Sequence, residues 1–178
     1  GILYNRQAGL LDIHLNQKQK VLSADAYNWI YEDYTALGMT GKPREGQTLE
    51  EVRDLLLEQV ETLKQGEFQD WLLDAVIRNL KVSDTRRLTS NNSRAYAITN
   101  AFVLGMPWEN YVNRFEKMQA YTKEDVVAFA RKYMKDNYAL VYKRSGEDKD
   151  VYKVEKPAIT PVSLNRTEQS EWAQAFFS

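Results

Sequence analysis

Tyr27, Trp29 and Tyr31 stand at every second position, whereas from Leu49 onward apolar residues return every third or fourth. No single element satisfies both periods. Side chains alternate faces along a strand and return to one face every 3.6 residues on a helix. The chain is therefore expected to be α+β, with helices packed on one face of a small antiparallel sheet. Alternation of the three aromatics with Ala26, Asn28 and Ile30 predicts a strand over residues 24–31. A second strand follows over 34–40, with Glu32 and Asp33 at the hairpin tip. Residues 41–46 carry Gly41, Pro43 and Gly46 and read as a loop.

The helical signals are periodic and punctuated. Leu11, Leu15 and Leu22 share a stripe that predicts a short amphipathic helix over residues 10–22. Thr48 followed by Glu51 is a capping-box pair, and Leu49, Val52, Leu56, Val60 and Leu63 run from it until Gly66. Leu72, Val76 and Leu80 predict a helix from 68 to about 85. Asn91 or Asn92 opens another that closes at Gly105. Pro107 suits the first position of a fourth, carrying Trp108, Tyr111, Val112, Phe115 and Met118. Thr122 with Asp125 starts a fifth, bearing Val126, Phe129, Ala130 and Tyr133. Residues 138–143 return to strand character. From 156 to 166, Pro157 and Pro161 predict an extended linker, and Trp172, Phe176 and Phe177 close the chain. The expected division is a domain over 1–150 and a linker over 151–178 leading toward a following domain. A first residue other than Met suggests a piece of something longer.

Donor arithmetic limits the chemistry. The chain has no Cys and one His, so disulfides, thiolate metal sites and a Cys nucleophile are excluded. Catalytic zinc takes three protein ligands, commonly with two His among them, and a Ser-His-Asp triad would have to use His14 itself. Lys and Arg total 24 against 25 Asp and Glu, a net charge of −1. Such a surface offers no general field for nucleic acid or anionic lipid. The uncharged run over residues 95–108 includes Thr99 and Asn100 and is too short to span a bilayer. No leader pattern opens the sequence. A soluble protein, cytoplasmic or periplasmic, is expected.

Four features are candidates for function. His14, beside the leucine stripe, reads first as a packing or surface residue. Glu50, Glu51, Asp54, Glu58 and Glu61 crowd one predicted helix, and their spacing reads as a solvated face rather than an acid/base pair. Residues 38–43 imitate a phosphate loop, but Ala36 stands where Gly is needed and Pro43 where Ser or Thr is needed. Tyr27, Trp29, Tyr31 and Tyr34 gather on the hairpin, where they serve either cross-strand packing or a peptide or partner surface. The glycosylation pattern occurs at Asn91-Asn92-Ser93 and Asn165-Arg166-Thr167, consistent with surface loops.

Two stretches carry a resemblance. One is Gly9-Leu10-Leu11-Asp12-Ile13-His14-Leu15-Asn16, running into the hairpin and then Gln47-Thr48-Leu49-Glu50-Glu51-Val52. The other is Tyr121-Thr122-Lys123-Glu124-Asp125-Val126, followed by Ala130-Arg131-Lys132-Tyr133, Asn137 and the strand to Tyr142. In this order they resemble the second half of one domain of the insulinase/pitrilysin-type zinc metallopeptidases, over roughly residues 1–145. The resemblance implies two or four homologous domains enclosing a chamber in which peptides are cut, with H-x-x-E-H in only one of them. This chain carries no H-x-x-E-H. Where the family's peptide-contacting domain shows an Arg and a Tyr, Asn16 and Ser23 stand. What the resemblance implies is a non-catalytic domain with no metal or cofactor of its own, zinc lying in another domain of the parent. Its partners would be those other domains and a peptide substrate. The alternative is a stand-alone adaptor that binds a protein through the aromatic hairpin. A carboxylate-based hydrolase would rest on the acidic helix alone.

Overall fold

A computed structural model describes residues 1–147, 152, 154–161, 164 and 168–178. The described residues form two compact units, Gly1–Tyr142 and Lys143–Ser178. The expected boundary at 150–151 lies outside the described residues. No described helix is long and apolar enough to cross a membrane.

The first unit is α+β. A short helical turn leads into the antiparallel strands β1 (Ser23–Ile30) and β2 (Thr35–Lys42). Five helices match expected segments: α1 (Leu49–Gln65), α2 (Trp71–Arg87), α3 (Asn91–Val103), α4 (Trp108–Val112) and α5 (Arg114–Gln119), the last two from one expected helix. A sixth match, α6 (Lys123–Tyr133), forms where the helix opened by Thr122 was expected and completes the unit. The expected capping box of Thr48 with Glu51 forms on α1, and Thr122 with Asp125, expected as a helix start, forms a second one on α6.

The hairpin register decides which face is buried. Ala24 lies opposite Gly41 and Ala26 opposite Met39, so these four share a face. A side chain at position 41 would run into Val52 and Leu56 of α1, so glycine there lets the helix lie against the sheet. Around this contact, Leu11, Leu15, Val21, Ala24 and Val52 form one core cluster. A second joins Ile2, Leu3 and Leu10 to Leu63, Phe68, Leu72, Val76 and Ala130, with Met39 and Ala26 against it. A two-stranded hairpin alone is marginal in water, and apolar packing on one face supplies what the ladder lacks.

Several expectations need correction. The first helix does not reach residue 22. It ends near Asn16 with wide hydrogen bonds from Gln17 N–H to Asp12 O and Lys20 N–H to Leu15 O, and Gln19 takes a left-handed φ of 51°. Leu22 is accordingly exposed. The helix after Pro107 breaks at Asn113, where the Arg114 guanidinium hydrogen-bonds the Tyr111 carbonyl. Residues 138–143 pair with no strand among the described residues. Instead the Tyr142 hydroxyl accepts a hydrogen bond from Arg53 Nη1 at 3.3 Å. In the second unit, residues 156–161 have no regular structure, and Val162, Ser163, Asn165 and Arg166 of the expected linker lie outside the described residues. The chain end, expected only as apolar, is the helix α7 (Glu171–Phe177), with Trp172 stacked on Phe176.

One ion network ties the distant helices together. Asp84 on α2 accepts hydrogen bonds from Arg87 at 2.7 Å and from Arg114 of α5. Partial burial works against the Asp84 charge, but the two guanidiniums more than offset it and hold its carboxyl below the usual aspartate range. A carboxyl whose folded pKa is depressed stabilises the fold above its unfolded value near 4, and this support is lost as pH falls through the folded value. We expect Asp84→Asn to cost about 2 kcal/mol at pH 7. The variant and the parent should converge in urea midpoint below about pH 3. An unchanged gap across that range would remove the network from the stability account.

Candidate functional site

The aromatic face of the hairpin looks away from the core. Tyr27, Trp29 and Tyr31 follow one another on the face opposite Ala24 and Ala26, with Gly38, Ala36 and Tyr34 as their cross-strand partners. Tyr27 meets Trp29 edge to face with centroids 4.7 Å apart, and Tyr31 lies 4.9 Å from Tyr34. The Tyr27 ring lies across Gly38, where an added Cβ would come within 2.5 Å of it. Exposure still rises toward the tip: 36% at Tyr27, 49% at Trp29 and 64% at Tyr34. Ile30 and Leu37, on the opposite face, are also exposed. The outer half of the hairpin is thus bare on both faces, and the four expected residues are brought together there.

A groove accompanies the hairpin on its helix side. Its volume is about 180 Å3, and its walls include Ile2, Leu3, Ala26, Leu37, Phe129 and Met134. These are apolar side chains, and Tyr27 and Asn28 also line it. Sequence reasoning missed the groove, because its walls come from the N-terminal segment, the hairpin and α6, far apart in the chain. The only available signal was the apolar stripe of the last long helix, which includes Val126, Phe129 and Ala130.

The other candidates do not converge. His14 Nδ1–H donates to Oε1 of the buried Gln59 at 2.6 Å, which gives the imidazole a structural partner. No group of three or more His, Asp or Glu gathers in a metal-binding arrangement among the described residues. These residues therefore do not fit a three-ligand zinc centre. The acidic residues of α1 are exposed and engaged separately. Glu51 serves the cap, and the Thr48 backbone and hydroxyl hold its carboxyl below the usual range. Asp54 pairs with Arg53, and Glu61 with Lys64. The partners of Glu51, Asp54 and Glu61 are thus a cap and two cations, not one another's carboxylates. The Asn91 acceptor pattern opens α3 rather than a loop.

Neither a protein-family model nor a curated protein sequence matches the chain. Among solved structures it is similar to a protease from Helicobacter pylori, at 20% identity and a TM-score of 0.65, over 74% of this chain and 32% of that one. The chain thus spans about a third of the length of that protein. At this identity the likeness establishes a shared fold, and that fold is one found in a protease.

Proposed function

We propose that this chain is an architectural, non-catalytic domain of a zinc-dependent metalloendopeptidase, one that helps form the chamber enclosing peptide substrates. The fold it shares with part of a protease carries this reading. The insulinase-type resemblance of the two sequence stretches points the same way. Donor poverty adds a chemical reason: one imidazole and no thiol leave a proteolytic metal centre to be built elsewhere in the parent. The uncovered hairpin suits a domain whose sheet continues into neighbouring structure. Its aromatic side chains would then pack against other domains of the parent or line the peptide chamber.

The test has two arms. The purified chain, dialysed after saturation with zinc, should retain no stoichiometric metal and should hydrolyse no peptide in a chelator-sensitive way. The encoding transcript, read upstream, should specify H-x-x-E-H in a homologous domain. One equivalent of zinc retained after dialysis would defeat the architectural role, and a natural start near Gly1 would defeat the parent.

A further inference from the structure

A second cavity lies between α2 and α5, and we propose that it binds the C-terminal carboxylate of a peptide whose last residue is apolar. Its volume is about 290 Å3. Asp84 and Arg87 of α2 and Arg114 of α5 line it, beside Leu80, Phe115 and Met118. Asp84 bridges the two guanidiniums: its Oδ1 accepts from Arg87 Nη2 at 2.7 Å, and its Oδ2 accepts from Arg114 Nη2. Aromatic rings fix both guanidiniums in place. Arg87 Nη2 also donates to the Tyr111 hydroxyl at 2.8 Å. The Arg114 guanidinium carbon lies 3.7 Å from the Tyr111 ring centroid and 4.4 Å from that of Phe115, and Tyr111 is itself stacked on Trp108. A fork prepared in this way loses little side-chain freedom when it takes a ligand.

The charges of the cavity do not balance. Among its lining residues two guanidiniums meet one carboxylate, and arginine stays protonated at any working pH. One positive charge is left over. Donors are left over too. A guanidinium carries five N–H groups, and no acceptor among the described residues meets Nε or Nη1 of Arg87 or Nε of Arg114. A second carboxylate bridging the same two guanidiniums would take such donors and bring the charge to zero. A dianionic phosphate would overshoot it, beside the resident Asp84. The walls select the rest of the ligand. Leu80, Phe115 and Met118 place apolar surface next to the charge, so the carbon adjoining the carboxylate should carry an apolar side chain. The Ser83 hydroxyl lines the same cavity and has no partner among the described residues; it can accept the N–H of the last peptide bond. A peptide C-terminus offers these three features in that order. A cavity of this size encloses one large side chain, not the length of a fatty acid. Such a peptide would be held whether or not the parent cuts it, so the site is independent of the peptidase reading.

An acetylated tetrapeptide, three alanines ending in leucine, should bind the full chain with a dissociation constant below about 1 mM. Its C-terminal amide should bind about tenfold more weakly or worse, because the charge-assisted hydrogen bonds are gone. Methionine methyl signals report the place: that of Met118 should shift, whereas those of Met39 in β2 and Met134 in the other groove should not. Arg87→Gln should weaken binding of the acid about tenfold or more. Ser83→Asp keeps both guanidiniums but sets a carboxylate four residues before Arg87 on the same helix face. It should compete with the peptide and weaken binding by a similar factor while the urea midpoint is kept. Equal affinity for acid and amide would overturn the proposal. So would no binding at millimolar peptide, or a shift at Met134 in place of Met118. Octanoate or inorganic phosphate binding as tightly as the peptide would overturn it in favour of a free acid or an oxyanion. Undiminished binding by a folded Arg87→Gln would do the same; should that variant fail to fold, Ser83→Asp decides alone.

Discussion

Leu15→Ala is expected to remove about 2–5 kcal/mol from the folding free energy, the usual cost of a Leu→Ala cavity. Leu15 is fully buried, and with Leu11 it is one of the two largest fully enclosed side chains. It packs with Leu11, Val21, Ala24 and Val52, joining the first helical turn, β1 and α1 at one point. Val52 and Leu56 of α1 already lie against Gly41 at that end of the hairpin, so the cavity closes only if the helix or the strand moves. Domains of this size hold only about 5–15 kcal/mol in total. The urea midpoint should therefore fall by about 1–2 M, and the sheet should lose its protection from hydrogen exchange first. Leu22→Ala, at a residue 69% exposed, is the matched control and should change stability by less than about 0.5 kcal/mol. Equal midpoints for the two variants would mean that the hairpin is not held by this cluster.

The contrast between Leu15 and Leu22 also shows what periodicity can and cannot report. Both lie on one apparent stripe, and the stripe alone predicts one helix through both. The chain leaves the helix at Asn16 because the Asn16 amide satisfies the backbone of Ala24, a contact across the turn that no local pattern reveals. The hairpin was legible because alternation of aromatics is a local signal, and α1 and α6 because their caps are. Residues 138–143 have the composition of a strand, yet strand structure belongs to a pair. The segment joins neither strand of the hairpin, and its Tyr142 hydroxyl accepts instead from Arg53. The reverse error occurs at α7, where Trp172 and Phe176, one helical turn apart, were noticed only as apolar.

The candidate site divides in the same way. Clustering of Tyr27, Trp29, Tyr31 and Tyr34 followed from period two, but their exposure did not. An aromatic face and a core face have the same alternation, and only the packing of α1 against Gly41 decides which is buried. The expectation that this chain holds no metal of its own rests on counting donors, one His and no Cys. The groove beside α6 needed coordinates, since its walls are contributed by residues more than a hundred positions apart.

The N-terminal wall of that groove depends on one buried carboxylate, and Asp12→Ala should expose the dependence. Asp12 is 5% exposed, and its Oδ2 accepts from Asn5 N–H and Gly9 N–H, each at 3.0 Å. Asn5 Oδ1 in turn accepts from Gln7 and Ala8 N–H, closing a turn in which Arg6 adopts a left-handed φ of 69°. This turn folds the chain back so that Leu10 and Leu11 N–H donate to Ile2 and Leu3 carbonyls. Ile2 and Leu3 thereby become groove walls. Alanine at position 12 leaves two N–H groups without their acceptor, Gly9 in a buried and Asn5 in a half-buried position. At about 1–3 kcal/mol for each unsatisfied buried group, the loss should be about 2–4 kcal/mol overall. Asp12→Asn keeps an acceptor oxygen but weakens it from charged to neutral, so it should lose roughly half as much. Amide exchange at Asn5 and Gly9 should accelerate in both variants, ahead of global unfolding, because the turn opens before the core does. If Asp12→Ala remains within about 0.5 kcal/mol of the parent, the turn is held by the packing of Ile2 and Leu3 alone, and the carboxylate has no part in shaping the groove.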